Sequence, residues 1–435
     1  MCRAIPIPAF YFNGLRASAP SAFTAPRRDK RLISVCLPLR RRSVPVHCAS
    51  PIETTREDSM ENCYIDTPGA LHDLCLRLQA APWLAVDTEF HRESTYYPQL
   101  CLLQVATEDL VACIDPQALH DITPILDLLY REEILKVFHA SRQDLEIFYQ
   151  LCQRPLKPVF DTQMAAPLLG YADQISYAAL VKELLGKTLN KDHTRTDWRR
   201  RPLTPQQLEY AANDVIYLGQ IYLKLRHALE EAGKLSWLEE DFATLYAPGE
   251  YETRPRDAWL RLKHAWQLEG APLAALQALA AWRETTAQEK DQPRTWILRD
   301  EALYDLARAL PDTREALGTI PSLPGKTASR YGDTLLAIIE RARHRRPEPV
   351  PMELYPIKRP DKEEKAQVNR LLELANAHSE ALALDPRAVT SRRELSRLLR
   401  GERNLRLLRG WRRQVVGKKL LAILEDPAAA SSPPS

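Results

Sequence analysis

The stretch WLAVDTEFHRESTYYPQL, residues 83–100, begins as an apolar strand and carries two carboxylates, Asp87 and Glu89, with only Thr88 between them. Residues i and i+2 of a strand project from the same face, so these two negative charges repel each other unless a positive charge lies between them. The sequence therefore predicts that this strand ends at a site that needs a cation.

The pattern on both sides of this strand predicts an α/β domain. Three consecutive strands with short connections are typical of an antiparallel meander, and the later alternation of strands and helices favours parallel additions to a mixed sheet flanked by helices. The last helix has clear limits, with Thr204 as N-cap, Pro205 in the first turn and Gly233 past its end. The predicted elements are helix 67–80, strands 83–90, 100–106 and 110–115, helix 121–131, strand 135–139, helix 142–152, strand 158–160, and helices 161–169, 176–185 and 205–231.

Composition divides the 435-residue chain into a front segment, three folded units, two linkers and a tail. The second and third units have a helical period throughout, and TLLAIIE in one matches KLLAILE 85 residues later, which suggests an internal duplication. We therefore expect an α/β domain followed by two all-α domains. The predicted boundaries are 1–59 for a disordered or mis-assigned extension, 60–235 for the α/β domain, 236–256 for a linker, 257–342 for the first helical domain, 343–363 for a second linker, 364–426 for the second helical domain and 427–435 for a disordered tail.

The formal net charge of +3 conceals a basic front segment, in which residues 1–59 hold ten Lys/Arg against four Asp/Glu. This opening resembles a transit peptide in composition, but we favour a start at Met60, because MENCYIDTPGALHDLC leads directly into a folded pattern.

The 8 cysteines form no C-x-x-C pair, which favours reduced thiols in a cytoplasmic protein. No apolar run reaches the roughly 18 residues that cross a bilayer, so we expect no membrane partner.

Five residues distant in the chain form one candidate catalytic set: Asp87, Glu89, Asp144, Tyr210 and Asp214. Tyr210 and Asp214 are four apart and share a helix face, so the carboxylates converge if that helix packs on the first strand. Such a cluster requires cations, and hard oxygen ligands select Mg²⁺ or Mn²⁺. Two such ions about 4 Å apart can support phosphodiester hydrolysis.

Each of these residues also has an ordinary interpretation. Asp87 and Glu89 could be a solvated strand end, and Asp144 could close a capping box on Ser141. Tyr210 could be a core aromatic residue, and Asp214 a surface charge. The joint, ordered pattern favours the metal site over four unrelated explanations.

The motifs VDTEF, HASRQDLEIF and YAANDVIYL resemble the three exonuclease motifs of the DEDD superfamily in its tyrosine-bearing branch. With TYYPQLCLLQ, DTQMAAPLLG and RTDWRRRPLTPQQLEYAANDV, the chain from about 61 to 426 is similar to the ribonuclease D family. The resemblance implies a ribonuclease H-like fold, two HRDC domains at 257–342 and 364–426, and two divalent ions, Mg or Mn. It implies Asp87, Glu89, Asp144 and Asp214 as metal ligands and Tyr210 as the group that positions water.

The same resemblance implies a 3′→5′ exoribonuclease that releases nucleoside 5′-monophosphates and trims the 3′ trailer of precursor tRNA and other structured RNAs, and we expect a monomer. A scaffold that binds RNA without turnover and a DNA-editing exonuclease are the alternatives.

Between Leu384 and Leu420, twelve Lys/Arg against three acids predict a polyanion-binding face on the last domain. The expected RNA-binding residues are Tyr97, Gln99, Arg195, Trp198, Arg199, Arg392, Arg393, Arg412 and Arg413. The alternative for 190–203 is a solvated loop with one buried aromatic anchor, and for Tyr97 and Gln99 it is packing of the sheet.

Overall fold

The strand that carries Asp87 and Glu89 lies inside a six-stranded mixed sheet with the order β1-β4-β3-β2-β5-β6. The computed structural model describes residues 61–189, 196–247, 249–355 and 361–425. β2–β3 and β3–β4 are antiparallel, whereas β1–β4, β2–β5 and β5–β6 are parallel, so the predicted meander with parallel additions is confirmed. The strands are β1 (Glu61–Ile65), β2 (Trp83–His91), β3 (Gln99–Ala106), β4 (Leu110–Ile114), β5 (Leu135–Phe138) and β6 (Val159–Asp161).

Edge strand β1 is the strand of this sheet that the sequence does not predict. It has five residues, ENCYI, and includes Glu61 and Asn62, which are poor strand formers. Its structure comes from parallel pairing along all of β4 and from burial of Cys63 and Ile65. Because this strand depends on pairing with residues about fifty positions away, its own sequence does not predict it.

Helices cover both faces of the sheet, and each face has its own apolar cluster. They are α1 (Pro68–Leu78), α2 (Pro116–Leu119), α3 (Thr123–Leu129), α4 (Arg142–Cys152), α5 (Thr162–Ala165, continued by a 3-10 turn at Ala166–Leu169), α6 (Tyr177–Leu185) and α7 (Pro205–Glu231). The predicted start of α7 is confirmed: Thr204 Oγ1 accepts the Gln207 amide at 3.2 Å, and Gln207 Oε1 accepts the Thr204 amide at 2.8 Å. This reciprocal capping fixes where the helix begins.

Helix α7 lies unusually close to β2 at Gly219. A Cβ atom at this position would lie 3.0 Å from Cη2 of Trp83, which is tighter than ordinary van der Waals contact. Glycine therefore allows the helix axis to approach the sheet next to the strand that carries Asp87 and Glu89.

The segment 236–256, treated as a linker in the sequence analysis, is folded onto the sheet. It contains 3-10 turns at Leu235–Trp237 and Thr244–Tyr246 and helix α8 (Leu238–Ala243). The Val159 amide donates to the hydroxyl of Tyr246 at 2.8 Å, and Tyr251 is buried in the cluster on one sheet face. This segment thus extends the α/β unit beyond residue 235.

Two helical units follow. The middle one comprises 3-10 turns at Pro255–Arg261 and Ala265–Gln267, then α9 (Gly270–Glu289), α10 (Arg294–Ile297), α11 (Asp300–Ala309), α12 (Arg314–Gly318) and α13 (Gly325–Arg343). After a 3-10 turn at Met352–Leu354, the last one comprises α14 (Lys362–Ala381), α15 (Pro386–Val389), α16 (Arg392–Leu399), a 3-10 turn at Arg406–Leu408, α17 (Gly410–Arg412), a π-helical turn at Arg413–Gly417 and α18 (Lys418–Glu425).

The last helical unit shares its apolar core with the α/β unit. Trp237 and Trp411 stack with their ring centroids 5.1 Å apart. Lys234 Nζ donates to the carbonyl oxygens of Leu168 at 2.8 Å and Leu382 at 2.6 Å, which joins the two units through one buried ammonium group. The last unit therefore packs directly against the α/β unit and is not joined to it by the chain connection alone.

Cys63, Cys75, Cys101, Cys113 and Cys152 are free thiols in the structure. Within the described part of the chain, no helix combines the length and the apolar character needed to span a bilayer. The predicted N-terminal extension and disordered tail lie outside the described residues.

Candidate active site

The end of β2 and one face of α7 bring three carboxylates together. Asp87, Glu89 and Asp214 each offer an oxygen, and these oxygens all lie within 4.8 Å of one another. Asp87 and Glu89 share a strand face, and α7 reaches them because Gly219 permits the close approach to Trp83. The structure thus brings together three of the four carboxylates predicted to converge.

The fourth carboxylate, Asp144 in the first turn of α4, is buried beside this group. Its Oδ1 accepts a 2.5 Å hydrogen bond from Thr88 Oγ1, the residue between Asp87 and Glu89. The capping-box alternative fails, because Ser141 makes no side-chain cap bond and its Oγ lacks a partner within the described ranges. Asp144 is therefore oriented by a residue of β2.

Burial and mutual repulsion make these carboxyls weak acids in the protein alone. Burial raises the pKa of Asp87 to about 6. Burial, followed by the charges of Asp87, Asp214 and Asp144, raises the pKa of Glu89 to about 10. Burial, followed by the charge of Asp87, raises the pKa of both Asp144 and Asp214 well above its ordinary value. Clustered acids that hold protons in this way are ready to exchange them for cations.

The donor set fits a hard divalent cation. All the converging groups are carboxylates, which suit Mg²⁺ or Mn²⁺ better than zinc. The histidine that lines the same cleft, His139, already uses both ring nitrogens, with Thr162 Oγ1 at 2.9 Å and the Ile175 carbonyl at 3.1 Å.

Tyr210 lies one helical turn before Asp214, and its hydroxyl hydrogen-bonds to the Asp214 carboxylate. Burial, followed by the charges of Asp214, Glu89 and Asp87, raises its pKa, so the hydroxyl keeps its proton. Tyr210 is therefore a neutral donor at the edge of the carboxylate group.

The carboxylates line an open cleft of about 460 Å³. Its other walls include two residues that the sequence analysis does not single out, His139 and Tyr177, whose rings are 5.4 Å apart. Tyr177 donates its hydroxyl hydrogen to the backbone carbonyl of Asp214. His139 is the last residue of the predicted strand 135–139, so its place at a strand end could have been found, whereas Tyr177 at the start of α6 has no comparable signal.

Three residues predicted to bind RNA lie at positions that favour a structural role. Trp198 is only 4% exposed and packs near Tyr210, with centroids 6.1 Å apart, a position that favours the buried-anchor alternative over stacking with a base. Arg199 pairs with Asp197 at 2.8 Å. Gln99 begins β3 opposite His91. Arg195 lies outside the described residues.

The segment that leaves β2 is held by the middle helical unit, and we name Tyr96 with Glu284, Asp291 and Arg294 the clasp. The amides of Tyr96 and Tyr97 both donate to Asp291 Oδ1 at 3.0 Å. The Tyr96 hydroxyl donates to buried Glu284, which also accepts from Arg294 at 2.5 Å. Tyr97, a predicted RNA contact, is thus fixed through its backbone while its ring stays half-buried.

The basic residues predicted on the last unit divide into two groups. Arg392, Arg393 and Arg413 are exposed, although Arg392 also contacts Asn369. Arg412 is 5% exposed, and its guanidinium donates to Asp241 at 2.6 Å and to the Ala388 carbonyl at 2.8 Å. The Arg412 side chain forms part of the interface with the α/β unit, a position that favours a structural role over the predicted contact with RNA.

Comparisons with known proteins agree with these features. A family described as 3′-5′ exonuclease matches residues 63–230, and one described as HRDC domain matches residues 273–339. Ribonuclease D of Nitrobacter hamburgensis is 39% identical over 362 residues, which cover 82% of this chain and 94% of that relative. Ribonuclease D of Escherichia coli is 34% identical over 369 residues, covering 83% of this chain and 98% of that relative.

The crystal structure of Escherichia coli RNase D, described as an exoribonuclease involved in structured RNA processing, has a TM-score of 0.72 at 33% identity. It covers 84% of this chain and 99% of its own. A protein from Bifidobacterium adolescentis has a TM-score of 0.62 at 25% identity.

Proposed function

This chain belongs to the ribonuclease D family and is a 3′→5′ exoribonuclease, and we propose that it trims structured RNA one nucleotide at a time, the 3′ trailer of precursor tRNA above all. The products would be nucleoside 5′-monophosphates. The observation that carries the proposal is the convergence of carboxylates from β2 and α7 within 4.8 Å, next to the Tyr210 hydroxyl.

We propose that Asp87, Glu89 and Asp214, with Asp144 directly or through water, hold two divalent ions, Mg or Mn. When bound, such ions supply activation of the attacking water and stabilisation of charge on the leaving oxygen. Tyr210 keeps its proton and can orient that water from the side of Asp214, while the cleft receives the terminal nucleotide.

The decisive experiment follows mononucleotide release from an RNA labelled at its 3′ end, with Mg²⁺ or Mn²⁺ and with a chelator. Asp87→Asn should abolish release and leave RNA binding largely intact, because the carboxylate holds metal and not RNA. Tyr210→Phe should slow release about 10²-fold or more while metal binding persists, since the hydroxyl acts on the water.

The matched control is Asp127→Asn on the exposed side of α3, which should not change the rate. Full activity of Asp87→Asn would reject the site. Equal release of nucleotides from single-stranded DNA would favour the DNA-editing alternative, and RNA binding without any metal-dependent release would favour the scaffold alternative.

We further propose that residues 364–425 form a second HRDC-like domain that contributes RNA contacts. The support is the repeated order of helices, with a long helix, a one-turn helix and a medium helix in both units: α9, α10 and α11 in one, α14, α15 and α16 in the other. Arg392, Arg393 and Arg413 are its exposed candidates for phosphate. A monomeric state and a cytoplasmic location remain our predictions, testable by light scattering and by imaging a tagged chain.

A further inference from the structure

Gln104, in the middle of β3, carries a buried side-chain amide that is unpaired within the described part of the chain. Its side chain is fully buried, and neither Nε2 nor Oε1 has a partner among the described residues. Buried amides in proteins are almost always paired, because desolvation without compensation is unfavourable. An apolar residue at this position would be more stable, so the presence of glutamine calls for a functional reason.

The register of the sheet places this amide beside the active site. Gln104 is the direct antiparallel partner of Asp87, and directly opposed residues in an antiparallel pair project from the same face. That face is covered by α7, whose Ala211 and Ala212 are buried against the sheet. The unpaired amide therefore lies in the layer between the catalytic strand and the helix that carries Tyr210 and Asp214.

Among the described residues, Asp87 accepts no hydrogen bond from a side chain, a property that it shares with Glu89 but not with Asp144 and Asp214. Asp214 is hydrogen-bonded by Tyr210, and Asp144 accepts from Thr88 Oγ1 at 2.5 Å. For Asp87, the hydrogen bond found within the described chain is the backbone amide of Thr88. A donor without an acceptor and a carboxylate without a side-chain donor thus face each other across one strand pair.

We propose that Gln104 is a positioning residue of the metal site, whose Nε2–H donates to the Asp87 carboxylate when that carboxylate holds a cation. The hydrogen bond would fix the carboxylate rotamer and so select which oxygen faces the ion. Groups that orient ligand carboxylates in this way typically change metal affinity about 10- to 100-fold when removed. The proposal rests on the proposed function, because it assumes that Asp87 binds metal.

The test uses the full chain with Mn²⁺ alone, without RNA. Gln104→Met, which is close in size, should raise the Tm in chelator because it removes an unpaired amide. It should also weaken Mn²⁺ binding in calorimetry about tenfold. Release of nucleotides should fall at low Mn²⁺ and recover as the Mn²⁺ concentration rises.

The matched control is Gln277→Met in the middle helical unit. Gln277 is also buried, but both ends of its amide are paired with the backbone of Glu348, at 2.8 and 3.0 Å. This variant should lower the Tm and leave Mn²⁺ affinity unchanged. The two substitutions are chemically identical, so opposite shifts in Tm separate an unpaired amide from a paired one.

Unchanged Mn²⁺ affinity in Gln104→Met, with wild-type affinity intact, would overturn the positioning role. A Tm below that of the wild type in chelator would also overturn it, because the amide would then be paired within the fold. Failure of the wild-type chain itself to bind Mn²⁺ or to release nucleotides would reject the proposed function instead, so the two failures are distinguishable.

Discussion

At the scale of single residues, the carboxyl groups of the site hold protons when no cation is bound. Burial raises the pKa of Asp87 to about 6, and burial with three neighbouring charges raises the pKa of Glu89 to about 10. A carboxyl that keeps its proton in the folded state ionises near pH 4 in the unfolded state. The metal-free fold therefore binds more protons than the unfolded chain at neutral pH.

This imbalance predicts how stability depends on pH. In chelator, the free energy of unfolding should fall as pH rises from about 4 through the pKa of Asp87 at about 6 and on towards that of Glu89 at about 10, because ionisation favours the unfolded chain. Mn²⁺ binds the ionised form, so its stabilising effect should grow with pH. Scanning calorimetry should therefore give a larger increase of Tm with Mn²⁺ at pH 8 than at pH 6. An equal increase at both pH values would contradict this prediction, and Asp87→Asn should reduce the difference.

Individual residues of the site differ in how far their roles could be predicted from the sequence. Asp87 and Glu89 could be singled out because two carboxylates on one strand face repel each other, and their combination with Asp144, Tyr210 and Asp214 favours a cation over solvent as the remedy. Trp198 and Arg412 could not be assigned, since the groups that bury them, Tyr210 and Asp241, are set by tertiary packing. In the sequence alone, a tryptophan or an arginine near other basic residues suggests a nucleic-acid contact. The residue that it packs against or pairs with in the fold shows that it has a structural role.

At the scale of elements, the distance between α7 and β2 controls whether the carboxylates meet. Start and end signals of α7 are local, so Thr204, Pro205 and Gly233 could be predicted from the sequence. The depth at which the helix packs depends on Gly219 against Trp83, and nothing in the local pattern marks that contact. Strand β1 is missing from the prediction for a related reason, because its pairing with β4 is long-range.

Gly219→Val tests the packing of α7 directly. The new side chain would meet the Trp83 ring at about 3 Å, so the helix must shift away from the strand, and overpacking of this kind costs about 1–3 kcal/mol. We expect a lower free energy of unfolding in urea and a loss of nucleotide release larger than the loss of stability explains. The control is Gly69→Val in α1, where a Cβ has no atom within 4 Å and both quantities should stay nearly constant.

At the scale of the whole molecule, the last helical unit is anchored to the nuclease core through a buried ion pair. Arg412 and Asp241 have side chains only 6% and 13% exposed, and their closest atoms are 2.6 Å apart. Asp241→Ala leaves the guanidinium buried without its partner, which should reduce the free energy of unfolding by about 3–5 kcal/mol. Urea unfolding measures the loss. Asp333→Ala, which breaks the exposed pair with Arg314, should have little effect, and equal losses in both variants would contradict the anchoring role.

Because the last unit shares a core with the nuclease region, removing residues 343–435 would expose apolar surface such as Trp237 as well as remove positive charge. A cleaner test of RNA binding reverses exposed charges. Arg392→Glu with Arg393→Glu should weaken binding of structured RNA and reduce the salt slope by about 2, because two phosphate contacts are lost. Arg345→Glu with Arg346→Glu is the control for charge alone, and equal weakening in both pairs would remove the specific face.

The clasp has a consequence for how such proteins can be recombined. The segment that follows β2 is held in place by Asp291 and Glu284, two side chains of the middle helical unit. A chimera that keeps the nuclease half and imports a foreign helical module would need an acceptor for the Tyr96 and Tyr97 amides in the same place. We therefore expect that relatives can exchange these two modules only together, even though each module contains its own apolar core.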